Sequence, residues 1–349
     1  MAPPKGAKKF DVLLAGYFGF GNLGDELLAE AAVNNLMACG VAKEGLAILS
    51  RASDESPSRL GVESFDRWSF QSVSNAIKRS RALFLPGGGL FQDATSALSC
   101  VYYWGIVALA VALSVPVVAL GQSVGPLSGN ISRFLTRRAL LSCSYIAVRD
   151  DASRHVLNDM DVPCAMMPDP VMSLKAPERS GGGDEVLINV RPVRGNRHSV
   201  SSVAAASRSC EASGIPMIGV AMSDEDGRFM KELQASGDMP RFEIKAPRSA
   251  GEFFVAASRA RASVGMRLHF AILSILSGLE VVMSPYDPKV SSFADAWGLK
   301  LLKLEESDEN FDIMKLLTNS WFRDKRKIDE VRLLVADQFR IALDRTLGD

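Results

Sequence analysis

Short apolar runs alternate with amphipathic segments along most of this chain, and that alternation constrains the fold more than any other feature of the sequence. DVLLAGY, AKEGLAILS, ALFLP, VVALGQ and YIAVRD predict strands, and helix-length segments such as GNLGDELLAEAAVNNLMACG lie between them. Apolar runs without a polar side are typical of parallel strands that are buried on both faces. The sequence therefore predicts an α/β fold built from doubly wound parallel sheets.

A polar stretch at residues 175–184, KAPERSGGGD, interrupts this rhythm and is typical of a linker. A chain of 349 residues is also too long for one ordinary core. We therefore expect two Rossmann-like domains, at residues 1–174 and 184–322, that face a central cleft. The pattern of residues 323–349 predicts a charged amphipathic helix. One option is that this helix crosses back and packs on the N-terminal domain.

One uncharged segment, residues 98–120, is long enough to raise the question of a membrane span. Ser114 and Pro116 divide it into a helix-length part and a short VVAL run. A residue before proline disfavours helix, so the segment is better interpreted as a buried helix followed by a buried strand.

Composition excludes several classes of partner. Forty basic and forty acidic residues cancel, which disfavours a nucleic-acid partner. The five cysteines are scattered and form no CxxC pair, which disfavours a disulfide framework or a zinc cluster. We expect a cytoplasmic protein that needs no metal or cofactor, with at most transient contact at the inner face of the plasma membrane; the sequence does not indicate an oligomeric state.

Two glycine-rich stretches follow predicted strands, GYFGFGNLGDE at residues 16–26 and PGGGLFQD at residues 86–93. Glycines at such positions let the backbone approach a ligand, and free amides at a helix start favour an anion or a polar sugar. The next predicted strand ends at Ser50 and Arg51, without the acidic residue that would bind a ribose, which disfavours NAD. The acceptor-binding candidates in these stretches are Gly19, Asn22, Asp25, Gly88 and Gly89. Asp25 has the alternative role of a helix cap.

Basic residues and one histidine follow other predicted strands. Arg149 ends YIAVRD, Arg267 and His269 lie in GMRLHF, and Lys289 lies in YDPKV. A guanidinium suits bidentate capture of phosphate or carboxylate, and imidazole exchanges protons near neutral pH. A surface ion pair for Arg149 and simple solvent exposure for Lys289 are the alternatives. The set indicates an enzyme for a compact, highly anionic small molecule.

Taken in order, GYFGFGNLGDE, PGGGLFQD, GQSVGP, VRD, DPV, GMRLHF and YDPKV resemble the polysaccharide pyruvyl transferase family, and more narrowly its bacterial cell-wall-polymer branch. The resemblance implies a GT-B-like pair of Rossmann domains, phosphoenolpyruvate as donor, and a ketal-forming transfer of pyruvate to two hydroxyls of one sugar. In that branch the acceptor is a lipid-diphosphate-linked disaccharide ending in N-acetylmannosamine. Its 4,6-pyruvylated product anchors S-layer proteins.

The resemblance also assigns roles to residues of this sequence. Arg149, Arg267, Leu268 and His269 match positions that hold the donor, and Lys289 matches a further donor contact. We expect His269 to protonate the methylene carbon of the enol, and the cations to neutralise the departing phosphate. Asp25 is the candidate to accept the hydroxyl proton or to orient the sugar.

Two other functions stay open at the level of sequence. A GT-B glycosyltransferase that uses a nucleotide sugar shares the predicted architecture, although such an enzyme normally adds a carboxylate for the ribose in its second domain. A non-catalytic protein that binds an anionic sugar also fits two Rossmann lobes.

Overall fold

The computed structural model describes residues 8–52, 55–94, 96–178, 183–193, 197–302 and 325–348. By their contacts the residues divide into two units. Unit 1 comprises Met1–Phe20, Asp25–Ser173 and Asp329–Asp349, and unit 2 comprises Gly21–Gly24 and Leu174–Ile328. The short segment Gly21–Gly24 thus belongs with the second unit, although it lies within the first glycine-rich stretch.

Unit 1 contains a seven-stranded parallel sheet. Its strands are β1 Phe10–Ala15, β2 Leu46–Ser50, β3 Glu63–Asp66, β4 Ser80–Phe91, β5 Val117–Val124, β6 Tyr145–Val148 and β7 Ala165–Met166. They are arranged in the order β3-β2-β1-β4-β5-β6-β7. The first six follow the doubly wound order in which the direction reverses beside the first strand.

Unit 2 contains a six-stranded parallel sheet of the same topology. Its strands are β8 Glu185–Asn189, β9 Met217–Val220, β10 Glu243–Lys245, β11 Ala260–Gly265, β12 Glu280–Met283 and β13 Lys300–Leu301. Their order is β10-β9-β8-β11-β12-β13. Both sheets are therefore Rossmann-like, and the predicted α/β class is confirmed.

Helices follow most strands in the described part of the chain. They are α1 Leu23–Ala38, α2 Ser56–Leu60, α3 Phe70–Lys78, α4 Leu98–Ala112, α5 Asn130–Leu141, α6 Asp151–Asn158, α7 Arg197–Ala212, α8 Asp224–Ser236, α9 Ala250–Ala257, α10 Leu268–Leu276, α11 Pro288–Trp297 and α12 Lys325–Leu347. Short 3₁₀ turns occur at Lys43–Gly45 and Pro170–Ser173.

The helices of unit 1 cover both faces of its sheet. On one face α3, α4 and α5 bury Ala76, Tyr103 and Leu140 against the strands. On the other face α1 and α12 contribute to one apolar cluster, in which Phe339 is fully buried. The C-terminal helix α12 therefore packs in unit 1, and Tyr145 donates a hydrogen bond of 2.5 Å to Gln338 on it.

The uncharged segment at residues 98–120 forms the helix α4 and then the buried strand β5, as Ser114 and Pro116 predict. Within the described ranges, no helix is both long enough and apolar enough to cross a bilayer. The helix-plus-strand interpretation is confirmed.

Two local expectations need correction. The glycines of PGGGLFQD do not form a loop after a strand, because β4 continues through them to Phe91. The polar segment ESFD forms the edge strand β3, which the apolar pattern did not reveal. Part of the predicted linker, residues 179–182, and the end of the predicted second domain, residues 303–322, lie outside the described residues.

Candidate active site

Arg149 lies directly after β6 in unit 1 and is held by two side chains. Its Nη1 donates to Asp169 Oδ2 at 2.5 Å, and its Nε donates to Ser123 Oγ at 3.0 Å. The side chains of Arg149 and Asp169 are 10% and 4% exposed. The alternative of a surface ion pair is therefore wrong, because this pair is buried.

The partners of Arg149 explain two short sequence patterns. Ser123 comes from GQSVGP, and Asp169 comes from DPV. Ser123 Oγ also donates to Asp150 Oδ2 at 2.6 Å, and Asp150 caps α6 by accepting from Ser153 N at 2.7 Å. These patterns fix the arginine and the start of the following helix as one hydrogen-bonded set. No hydrogen bond of Arg149 Nη2 is found within the described part of the chain.

The first glycine-rich stretch is fixed by its own polar side chains. Asn22 Oδ1 accepts from Gly24 N at 3.3 Å, which is the geometry of a helix N-cap, so Asn22 and not Asp25 caps α1. In unit 1, Glu26 Oε1 accepts from Gly19 N at 2.7 Å. In unit 2, Leu23 N donates to Met222 O at 2.8 Å.

Asp25 lies in the first turn of α1, close to the glycines of β4. A β-carbon at Gly88 would lie 3.5 Å from Asp25 Oδ1, and Gly88 has a positive φ of 92°. Gly87 also has a positive φ, 105°, and a β-carbon there would lie only 2.7 Å from Leu28 Cδ2. Burial raises the pKa of the Tyr103 phenol, and the Asp25 carboxylate adds to that rise. Asp25 therefore lies beside Gly88 near the carboxyl end of β4, and its charge reaches the Tyr103 phenol.

Gly89, the last of the three glycines, has open space around it. The nearest atom to a β-carbon built there is Gln92 Cγ, at 3.9 Å. Asp93, at the end of the same stretch, accepts hydrogen bonds from Ser128 N and Gly129 N just before α5. These amides hold the pKa of Asp93 below its usual value.

Arg267 lies directly after β11 in unit 2 and is held more extensively than Arg149. Its Nε and Nη2 donate to the two carboxylate oxygens of Asp226 at 3.0 and 2.5 Å, and Nη2 also donates to Ser223 Oγ at 3.0 Å. Asp226 is fully buried. Its backbone N donates to Ser223 Oγ, the N-cap of α8. Arg267 is itself the N-cap residue of α10, so this pair connects the starts of two helices.

Leu268 and His269 occupy the first two positions of α10. The imidazole ring lies against Gly24, and a β-carbon at Gly24 would overlap His269 Nδ1. Glycine at position 24 is therefore required by the histidine rather than by its own φ. Because both residues belong to unit 2, the GNLGDE and GMRLHF patterns meet there.

Lys289 lies in the first turn of α11, after β12. Its backbone N donates to Asp287 Oδ1 at 2.8 Å, and Asp287 caps the helix. The side chain is half-buried, so the alternative of simple exposure does not describe it.

Arg191 follows β8 at the carboxyl edge of the unit 2 sheet, and it was not predicted as a site residue. Its Nη1 donates to Tyr286 Oη at 2.9 Å, and the guanidinium lies 4.8 Å from the Tyr286 ring centroid. Its Nε is buried and has no hydrogen-bond partner among the described residues. The order β8-β11-β12 places the basic residues Arg191, Arg267 and Lys289 after three neighbouring strands. That order was the missing signal, since the sequence alone does not reveal which strands are adjacent.

Arg67 is a second residue that the sequence did not predict. It lies after β3, is almost fully buried, and donates to Gly16 O at 2.6 Å and to Tyr103 Oη at 3.2 Å. Aromatic rings surround its guanidinium carbon at 4.7–6.0 Å; they belong to Tyr17, Phe20, Trp68, Tyr102 and Tyr103.

Solved structures with a similar fold include Anabaena HepE in complex with UDP and glucose, at a TM-score of 0.59 and 12% identity, covering 96% of this chain and 95% of that one. The structure of S. aureus MnaA with UDP is similar at a TM-score of 0.60 and 11% identity, and the match covers 97% of this chain and 93% of that one. The UDP-GlcNAc 2-epimerase of Neisseria meningitidis is similar at a TM-score of 0.56 and 10% identity, and the match covers 97% of this chain and 100% of that one. At this identity the likeness shows the fold alone, a GT-B-like pair of Rossmann-like domains.

A comparison with curated proteins found no match. The family model for polysaccharide pyruvyl transferase matches residues 22–288. That range begins at the asparagine that caps α1 and ends in the first turn of α11, so it contains both anchored arginines, the histidine and the glycine strand. The chain belongs to the polysaccharide pyruvyl transferase family.

Proposed function

We propose that the protein transfers the enolpyruvyl group of phosphoenolpyruvate to a sugar of a cell-wall or surface polysaccharide precursor and releases phosphate. The observation that carries this proposal is the cationic edge of unit 2. There Arg191, Arg267 and Lys289 follow three neighbouring strands, and His269 begins the helix next to them. Phosphoenolpyruvate carries a carboxylate and a phosphate, which are the groups that guanidinium and ammonium bind best.

In this proposal each cation has its own part. The buried Nε of Arg191 gains an acceptor when the donor binds, which removes the cost of an unsatisfied buried donor. Arg149, held in place by Ser123 and Asp169, turns Nη2 to the donor and neutralises the departing phosphate. Leu268 packs against the donor beside His269.

The chemical steps follow from the bonds that must change. His269, protonated, gives its proton to the methylene carbon, and the enol carbon that bears the phosphate becomes an oxocarbenium-like centre. The first sugar hydroxyl attacks that centre and loses its proton to a base, for which Asp25 is our candidate. The C–O bond to phosphate then breaks, and the second hydroxyl attacks the same carbon and closes the cyclic ketal, giving its proton to the departing phosphate.

The acceptor that we propose is the N-acetylmannosamine of a lipid-diphosphate-linked disaccharide, modified at its 4- and 6-hydroxyls. The backbone at Gly19, Gly88 and Gly89 and the side chains of Asn22 and Asp25 are the proposed contacts. The glycines support this assignment, since a position without a side chain lets a ligand approach the backbone closely.

The test begins with the donor, because it needs no knowledge of the acceptor. We expect phosphoenolpyruvate at about a hundred times its Kd to stabilise the protein by roughly 2.7 kcal/mol. Phosphate release should then depend on an added glycan. Stabilisation by a panel of nucleotide sugars, with none by phosphoenolpyruvate, would replace this proposal by a glycosyltransferase. Turnover that is unchanged by a chelator is expected, because none of these steps uses a metal.

A further inference from the structure

The carboxyl ends of β1, β2 and β3 form one edge of the unit 1 sheet, and aromatic rings follow two of these ends. Tyr17 and Phe20 come after β1 and are stacked, with ring centroids 4.0 Å apart and planes 10° apart. Trp68 comes after β3 and makes an edge contact with Phe20 at 6.3 Å. Arg51 comes after β2 and lies over Phe20 at 5.2 Å.

This cluster is built as a rigid surface. Arg67 lies beneath the rings and is fixed to Gly16 O, while Tyr102 donates to Arg67 O at 3.1 Å. Above it Tyr17 is 44% exposed and Trp68 is 63% exposed. Large aromatic faces normally become buried, so exposed rings held in place at the ligand-binding edge of a Rossmann-like sheet indicate a ligand that stacks on them.

We infer that Tyr17, Phe20 and Trp68 form a stacking platform for a ring of the acceptor, and that Arg51 binds an anionic group attached to it. A pyranose ring has an apolar face of C–H groups that packs on an aromatic ring, and a guanidinium binds phosphate oxygens. Arg67 donates to Tyr103 Oη at 3.2 Å, and the Asp25 carboxylate adds to the rise in pKa that burial causes in the same phenol. This inference rests on the proposed function and names its acceptor subsite.

The test compares two aromatic substitutions with a matched control. Tyr17→Ala and Trp68→Ala should raise the KM for a soluble glycan acceptor roughly five- to tenfold and leave the KM for phosphoenolpyruvate unchanged. Phe70→Ala is the control, because Phe70 is exposed two residues away and its ring makes no contact with the cluster in the described part of the chain. Unchanged acceptor KM in both variants would overturn the inference.

A binding measurement separates this inference from the proposed function. The difference in tryptophan fluorescence between the wild-type protein and Trp68→Phe reports ligands at the platform. Quenching by the glycan in a protein that does not consume phosphoenolpyruvate would retain the platform and reject the transferase. Quenching by a nucleotide sugar and not by the glycan would show a nucleobase on the rings and would overturn the assignment to a pyranose.

A second surface of unit 1 carries an independent inference. Helices α4 and α5 pack side by side, and large apolar side chains recur on their outer faces at helical spacing. They are Leu98, Val101 and Trp104 on α4 and Ile131 and Phe134 on α5, and three of them are more than 60% exposed. A soluble surface rarely gathers so many exposed apolar groups on two adjacent helices without a partner.

The charges around this surface select the partner. Between Asp93 and Asp150 the sequence has no acidic residue, and α5 carries Arg133 and Arg138. No ion pair of either arginine is found within the described ranges. A second copy of the chain would bring like charges together across a two-fold axis, whereas an anionic lipid surface would attract them.

We propose that the outer face of α4 and α5 docks on an anionic membrane surface. Apolar side chains with a tryptophan and flanking arginines are the composition of a segment that lies in the headgroup region. This proposal does not depend on the identity of the donor.

The experiment measures sedimentation with vesicles of phosphatidylglycerol and phosphatidylcholine, against phosphatidylcholine alone. Phe134→Glu and Ile131→Glu should each weaken binding to the anionic vesicles about tenfold or more, and Arg138→Gln should weaken it less and only at low salt. Val255→Glu is the control, because Val255 is 74% exposed on α9 of unit 2. Equal binding by Phe134→Glu would overturn the proposal. So would a dimer that Phe134→Glu converts to a monomer in a protein that does not bind vesicles.

Discussion

The two sheets of this protein share one topology and differ at the edge where ligands bind. In unit 1 the arginines that follow the strands lie among glycines and a cluster of aromatic rings, and in unit 2 Arg191, Arg267 and Lys289 follow three neighbouring strands, with Tyr286 against Arg191. Rings and open backbone suit a sugar, and cations suit a phosphorylated carboxylic acid. We propose a division of labour between units of the same fold, with the acceptor contacts on the first and most of the donor contacts on the second.

The two anchored arginines differ in the groups that hold them. Arg267 gives two nitrogens to one buried carboxylate, so much of its hydrogen bonding serves the starts of α8 and α10. Arg149 gives one nitrogen to Asp169 and one to a serine. Arg267 is therefore bonded to the fold by more hydrogen bonds than Arg149.

Loss of His269 should have the largest effect, because it removes the group that we propose as the acid. His269→Ala should lower kcat by about 10²–10⁴-fold and leave stabilisation by phosphoenolpyruvate largely intact. Gly24→Ala should lower kcat as well, since its β-carbon displaces the imidazole. Gly105→Ala, which meets no atom within 4 Å, is the control for a glycine substitution. A normal rate in His269→Ala would end the assignment of the acid.

Arg267→Ala should affect folding more than any other change at the donor edge. It leaves Asp226 buried without its cation, which costs about 3–5 kcal/mol in comparable pairs. Removing both partners in Arg267→Ala/Asp226→Ala should restore part of that loss, as urea unfolding would show. Equal stability of the single variant and the wild-type protein would mean that the arginine acts on the ligand alone.

Arg149→Gln and Arg191→Gln should each weaken phosphoenolpyruvate binding roughly tenfold, the effect of one hydrogen bond between charged groups. The measurement is the shift in Tm with donor concentration, taken relative to each variant's own Tm without donor. Arg248→Gln, an exposed change in unit 2, is the control. If Arg149→Gln alone kept full affinity, the donor would be bound by unit 2 only, and the division between the units would be sharper than we propose.

The sequence predicts the parts of this molecule whose cause is local. Apolar runs predict most strands, and Ser114 with Pro116 predicts the break after α4. The edge strand β3 is not predicted because ESFD is polar. The glycines of β4 predict a loop, although β5 pairs with them. Contacts between residues far apart in sequence cannot be predicted for another reason. Asp226 is 41 residues from Arg267, and the rings around Arg67 come from three different segments, which only strand order brings together.

The smallest expected effect concerns Asp93, the last residue of PGGGLFQD, and it tests whether this stretch is wholly a ligand site. Hydrogen bonds from the amides of Gly129 and Ser128 hold the pKa of Asp93 below its usual value. A depressed carboxylate stabilises the fold above its unfolded pKa, and this contribution is lost as the pH falls through the folded value. Asp93→Asn should therefore cost well under about 1 kcal/mol at pH 7, because solvent screens this carboxylate, and less still as the pH falls below about 4, with an unchanged KM for the acceptor. Thermal unfolding from pH 7 down to pH 3 checks this. A raised acceptor KM in Asp93→Asn would extend the sugar site along the whole glycine strand, whereas loss of stability alone would confine it to Gly88 and Gly89.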